Sequence, residues 1–175
     1  MKKIYLITLL FLFLCACSHF VLAAHSAHAG KTKLKQITDI RDTARQAEAE
    51  NLPILMMFGT DQCPYCKLLK EDFLIPMIIS GDYADKIILR EVHISSQSGL
   101  MDFSGKKISS SEFARRYNVR LYPTMVFIDS NGQMLVENII GITTPSLFGG
   151  TLDDQIDRAF SRLRKNHLLK KQELF

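Results

Sequence analysis

The residues Ile54-Leu55-Met56-Met57-Phe58 form an unbroken apolar run, closed in front by Asn51-Leu52-Pro53 and behind by Gly59-Thr60-Asp61-Gln62. A run this short and this uniformly apolar reads as a strand covered on both faces, because a strand with one wet face alternates. Such a strand needs other elements packed above and below its sheet. The turn behind it leads straight into Cys63-Pro64-Tyr65-Cys66. There Pro64 falls in the first turn of a helix, where a missing N–H does no harm.

The rest of the chain reads as elements that complete such a sheet. Thr38 or Asp39 caps a helix predicted to reach Glu50, with Ile40, Ala44 and Ala47 at helical spacing. The helix that opens at Cys63 carries Leu68, Leu69 and Phe73 and is predicted to end or kink at Pro76. Residues 87–94 read as a second core strand, 97–107 as a polar surface excursion, and 109–117 as a helix with a serine cap and Glu112 early. A third apolar strand at 125–128 is followed by a hairpin turn at 129–132 and a returning strand at 133–140. An amphipathic helix at 152–165, with Ile156, Phe160 and Leu163 on one side, closes the order. Strands alternating with helices imply parallel β-α-β units, and the closing hairpin adds antiparallel pairing. The expected class is α/β, a three-layer sandwich around a mixed sheet.

The first residues read as a targeting segment. Lys2 and Lys3 precede an apolar run over 4–14. Ala27-His28-Ala29 before Gly30 has the small-x-small pattern of a signal-peptidase site, whereas Leu14-Cys15-Ala16-Cys17 resembles a bacterial lipobox that would put a lipid on Cys17. An uncleaved anchor is the third reading. The organisation expected is a leader at 1–29, a polar linker at 30–37, a folded domain at 38–168 and a tail at 169–175. Of 22 basic and 18 acidic residues, Lys2 and Lys3 lie in the leader, so the remainder carries about +2. With no basic stripe interleaved with aromatics, that charge argues against a nucleic-acid partner.

Of four cysteines, Cys15 and Cys17 fall in the leader, which leaves Cys63 and Cys66 for the folded part. A bridge across two residues closes too short a loop to act as a staple, so the pair is read as chemical. A cysteine at a helix mouth meets unpaired N–H groups and the positive end of the helix dipole, both of which favour the thiolate that attacks disulfides. Cys66, one turn on, is placed to resolve the mixed disulfide. A zinc half-site lacks partners, since His93 and His167 have no ligand spacing, and Lys67 after the second cysteine excludes the covalent haem motif. No metal or other cofactor is expected, because the cysteines themselves carry two electrons.

With Cys63-Pro64-Tyr65-Cys66 at a helix start and Tyr122-Pro123-Thr124 before a strand, the chain resembles the thioredoxin-like superfamily over residues 54–165. The resemblance implies the thioredoxin fold, a cis Pro123 facing the cysteines, and a substrate-binding loop of Tyr122, Pro123 and Thr124. An ordinary trans proline is the plainer alternative. The dipeptide Pro64-Tyr65 is that of glutaredoxins, although the loop ends Pro-Thr as in thioredoxins. The buried acid that thioredoxins keep ahead of the pair falls at Met57, so Glu91 is the candidate proton relay, against a solvated edge position for it. Lys67 and Lys70 are expected to face solvent. Residues 52–59 look most like exported thioredoxin-related proteins, including those of sulfur-oxidation clusters.

The function expected is thiol–disulfide exchange by an exported, periplasmic oxidoreductase on protein or small-thiol disulfides, with a membrane electron donor or oxidant as partner. Reductase leads oxidase and isomerase, because the loop is thioredoxin-like and no dimerisation domain of the isomerase type is present. The competing reading is a non-catalytic binding or chaperone module on the same scaffold, tethered by lipid.

Overall fold

The computed structural model describes residues 32–173 apart from Ser96; the leader, with Cys15, Cys17 and Ala27-His28-Ala29, lies outside the described residues. In chain order the elements are α1 (Ile40–Glu50), β1 (Ile54–Gly59), α2 (Pro64–Leu69), a π-helical turn (Lys70–Leu74), α3 (Ile75–Ser80), β2 (Ile88–His93), β3 (Gly99–Met101), β4 (Lys107–Ser109), α4 (Ser110–Arg116), β5 (Thr124–Ile128), β6 (Ile139–Ile140) and α5 (Pro145–Glu173). The sheet order is β2-β1-β5-β6, with β1 parallel to β2 and antiparallel to β5. Among the described residues no helix is long and apolar enough to cross a membrane.

The strand β1 is buried along its whole length, as its apolar run demands. Its alternate residues feed two separate cores. Ile54, Met56 and Phe58 pack with Ile40 and Ala47 of α1 and Phe113 of α4. Leu55 and Met57 pack with Cys66, Leu69, Leu74 and Met77 beneath the helix that opens at the cysteines, and with Ile156 and Leu163 of α5. This is the three-layer arrangement around a mixed sheet that the sequence leads one to expect. Asp39 caps α1 by accepting from the Arg41 N–H, and Ser109 caps α4 by accepting from the Glu112 N–H.

Five expectations are corrected. The helix does not end at Pro76: Ile75 N–H donates to Lys70 O, five residues back, so the turn widens just before the proline and the helix continues to Ser80. Residues 34–37 are not linker, for Leu34 and Ile37 are buried, Glu91 N–H donates to Lys35 O and Ile37 N–H to Glu91 O. The excursion at 97–107 holds the β3–β4 hairpin, with Leu100 and Ile108 in the core. The returning strand pairs with β5 through Ile139 and Ile140, and nearer the turn only through Met134 and Leu135, with a break between. Finally, α5 extends well beyond 152–165 at both ends, so most of the supposed tail is helical.

Candidate active site

The site lies where β1 ends and α2 begins. Buried β1 delivers the chain to the surface at Gly59, the turn over 60–62 reverses it, and Cys63 becomes the N-cap of α2 with Pro64 behind it. Cys63 and Cys66 are joined as a disulfide with their Cα atoms 5.2 Å apart. Cys66 N–H donates to Cys63 Sγ at 3.1 Å. An N–H at a helix mouth aimed at the first sulfur is the arrangement that would hold a thiolate there once the bridge opens. The two cysteines differ in access, for Cys63 is half-buried while Cys66 is 1% exposed. An incoming disulfide therefore meets Cys63 first.

The second expected element is the loop before β5. The Tyr122–Pro123 peptide is cis. Tyr65 from α2, Tyr122 and Pro123 from the loop before β5, and Gly141, Ile142 and Thr143 after β6 line a shallow depression of about 200 Å³. Tyr65 is 59% exposed at its rim. Gly141 N–H donates to Pro123 O at 2.8 Å, which ties the two loops together. Thr124 departs from its expected role: it is buried and its hydroxyl donates to Leu121 O at 2.8 Å, so its side chain braces the loop instead of facing a substrate.

Beneath α2 the sheet is more polar than the sequence suggests. Met57 and Glu91 are register partners on β1 and β2, so the carboxylate stands one strand over from the apolar position. Glu91 is 5% exposed, because residues 35–37 cover the outer edge of β2, and the solvated-edge reading is corrected. Lys70 does not face solvent either. The π-helical turn swings it under the helix, where Nζ meets Glu91 Oε1 at 2.9 Å. Lys67 does face solvent, loosely paired with Glu71 at 3.9 Å. Two residues past Glu91 on the same face, His93 Nε2 lies 3.5 Å from Asp61 Oδ2. Sequence reasoning passed over His93 as a site residue; the available signal was two polar residues spaced by two in an apolar central strand, which puts both on one face. Among the described residues no group of three or more His, Cys, Asp or Glu side chains is arranged to hold a metal.

A family model described as a thioredoxin-like domain matches residues 40–156. The chain belongs to the thioredoxin-like family. A cysteine pair at disulfide distance on this fold equips it as a thiol–disulfide oxidoreductase, and members of the family act on protein disulfides. No curated protein sequence matches the chain. Among solved structures it is similar to thioredoxin O2 of Arabidopsis thaliana, at 17% identity over 70% of this chain and 93% of that one, with a TM-score of 0.48. It is also similar to a Malassezia sympodialis thioredoxin, at 17% identity over 76% and 98% of the two chains, TM-score 0.47. A thioredoxin-fold protein from Helicobacter pylori shares 24% identity over 70% and 86%, TM-score 0.44. Likenesses at this level carry no argument of their own, and the assignment rests on the family match.

Proposed function

We propose that this thioredoxin-like protein is an exported thiol–disulfide reductase, with Cys63 as the attacking thiolate and Cys66 as the resolving thiol. The observation that carries the reading is the asymmetry of the pair: a half-buried sulfur capping a helix, and a fully covered one a turn behind it. The first sulfur is the one a substrate can reach, and the second is positioned to release it. The depression between Tyr65, Tyr122 and Pro123 offers an apolar shelf for the segment around a protein disulfide. Pro64 and Tyr65 tune the pair through the helix start. No other cofactor enters the reaction, which moves two electrons between sulfurs.

Reductase is favoured over oxidase and isomerase by the thioredoxin-like ending of the Pro123-Thr124 loop. Export is favoured by the basic start and apolar run of the first residues, with Cys17 as the lipid-bearing residue if the lipobox is used. In a periplasm, reduction needs a membrane electron donor to keep Cys63 free. The likeness of residues 52–59 to exported thioredoxin-related proteins, including those of sulfur-oxidation clusters, points the same way.

Reduction of insulin by the purified domain with dithiothreitol tests the activity. Cys63→Ala should abolish turnover, and Cys66→Ala should accumulate mixed disulfides. Turnover that survives in Cys63→Ala would remove this mechanism, whereas no turnover in the wild type, with function retained in cells by both variants, would support the binding-module reading. Equilibration with glutathione tests direction: a potential near about −270 mV fits a reductant and one near about −120 mV an oxidant. Fractionation of cells expressing the full chain and its Cys17→Ala variant tests export and tethering.

A further inference from the structure

The covered position of Cys66 raises a chemical problem. Burial disfavours a thiolate, yet Cys66 must become one to attack Cys63 and release the substrate. A proton acceptor is needed on the face of the sheet beneath α2. Two groups on β2 share that face. Glu91 is engaged by Lys70 at 2.9 Å. His93 stands beside Gly59, its register partner on β1. A Cβ on Gly59 would lie 3.2 Å from Cys66 Sγ, so the sulfur occupies the space directly over that glycine. Adjacent strands are about 4.8 Å apart, a span that an imidazole bridges itself or with one water. The His93 side chain is 20% exposed, and Asp61, an exposed residue of the turn that leads into Cys63, brings Oδ2 to 3.5 Å from its Nε2.

We propose that His93 is the proton acceptor for Cys66, with Asp61 as a positioning residue that acts through it. The inference rests on the oxidoreductase reading. In the mixed disulfide between Cys63 and substrate, the Cys66 thiol gives its proton to the His93 imidazole. The resulting thiolate forms a bond to Cys63 Sγ. The bond between Cys63 and the substrate sulfur breaks, its electron pair leaves with that sulfur, and the imidazolium returns the proton to it. The substrate disulfide gains two electrons and the cysteine pair loses them. Imidazole suits the task because it takes up and gives back a proton near neutral pH. The charged and titratable groups on the elements packed about His93 are Asp61 from the turn, Cys63 at the cap of α2, Cys66 within it, Lys70 from the π-helical turn and Glu91 from its own strand; Lys67 of α2 faces solvent. On the covering segment Gln36 stands level with Glu91, and Lys35 before it is exposed.

A chromophoric aromatic disulfide separates the two steps. The reduced protein releases one coloured thiolate as Cys63 attacks and a second as Cys66 resolves, and both phases are followed by stopped flow across pH. In the wild type the second phase should show a pH inflection that the first phase lacks. His93→Gln should leave the first phase within about twofold, slow the second about 10²-fold and abolish that inflection. Asp61→Ala should slow the second phase and leave the first within about twofold, and Asp61→Asn, which can still meet the ring, should recover part of that loss. A second phase in His93→Gln that superimposes on the wild type overturns the assignment, as does a slowed phase in Glu91→Gln alone. Absence of the first phase from the wild type overturns the oxidoreductase reading, and the His93 role with it. In the unmodified protein, the His93 ring resonances must differ between the disulfide and dithiol forms; identical ring resonances overturn the proposal without any variant.

Discussion

Gly59 lies directly beneath the sulfur of Cys66, with no side chain between strand β1 and the resolving cysteine. A Cβ there would stand 3.2 Å from Cys66 Sγ and 2.7 Å from Met57 Cε. The methionine terminus can swing aside, but the sulfur is held by its helix and by Cys63. Gly59→Ala should therefore destabilise the disulfide form by about 1–3 kcal/mol through overpacking. A urea midpoint equal to that of the wild type would show that the helix can lift at no cost.

The ion pair between Lys70 and Glu91 predicts non-additive mutants. Lys70→Met leaves a buried carboxylate without its partner and should cost about 2–3 kcal/mol, below the ~3–5 of a fully enclosed pair because the lysine is 26% exposed. Removing both charges in Lys70→Met/Glu91→Met should restore most of that stability, since apolar side chains suit the site. Additive losses in chemical denaturation of the two single variants and the double one would refute a coupled pair.

Asp102 closes the β3–β4 hairpin, where it accepts from the Ser104 hydroxyl at 2.6 Å and from the Ser104 and Lys106 N–H groups at 2.9 Å, with Arg116 Nη1 on its other oxygen at 2.9 Å. The Ser104 hydroxyl first, then the Lys106 N–H and Arg116, hold its carboxyl well below the usual range. A depressed carboxyl stabilises the fold above its unfolded value of about 3.9 and loses that contribution as pH falls below it. Asp102→Asn should thus lower the thermal midpoint at neutral pH and flatten the acid limb of a stability profile. An unchanged acid limb would contradict this.

Two tyrosines should ionise late in an alkaline titration. Tyr83 is pushed up to about 12, first by its hydrogen bond to Asp153 and then by burial. Burial pushes Tyr117 up to about 12 as well. Because both values are raised, their stabilising contribution is whole below about pH 10 and is lost as pH climbs through 12. Tyr83→Phe and Tyr117→Phe should each delete one late step from the phenolate absorbance curve. A late step that survives in either variant would mean that another residue carries it.

What the amino-acid order alone determined was local. The apolar run ahead of Gly59, the cysteine spacing, Pro64 in a first turn and the serine cap at Ser109 are each settled within a few residues, because they depend on backbone sterics, helix ends and short-range burial. The proline after Tyr122 was legible through resemblance to a family. Tertiary structure decided everything that depends on which strands lie side by side. Glu91 read as either a proton relay or a solvated edge residue, and His93 as a histidine without ligand spacing, until the parallel register of β1 and β2 set them beside Met57 and Gly59. Lys70 read as a solvent-facing lysine until a single widened turn, 21 residues away from Glu91 in sequence, rotated it inward. Periodicity assigns a side chain to a face, but only the packed sheet determines what that face meets.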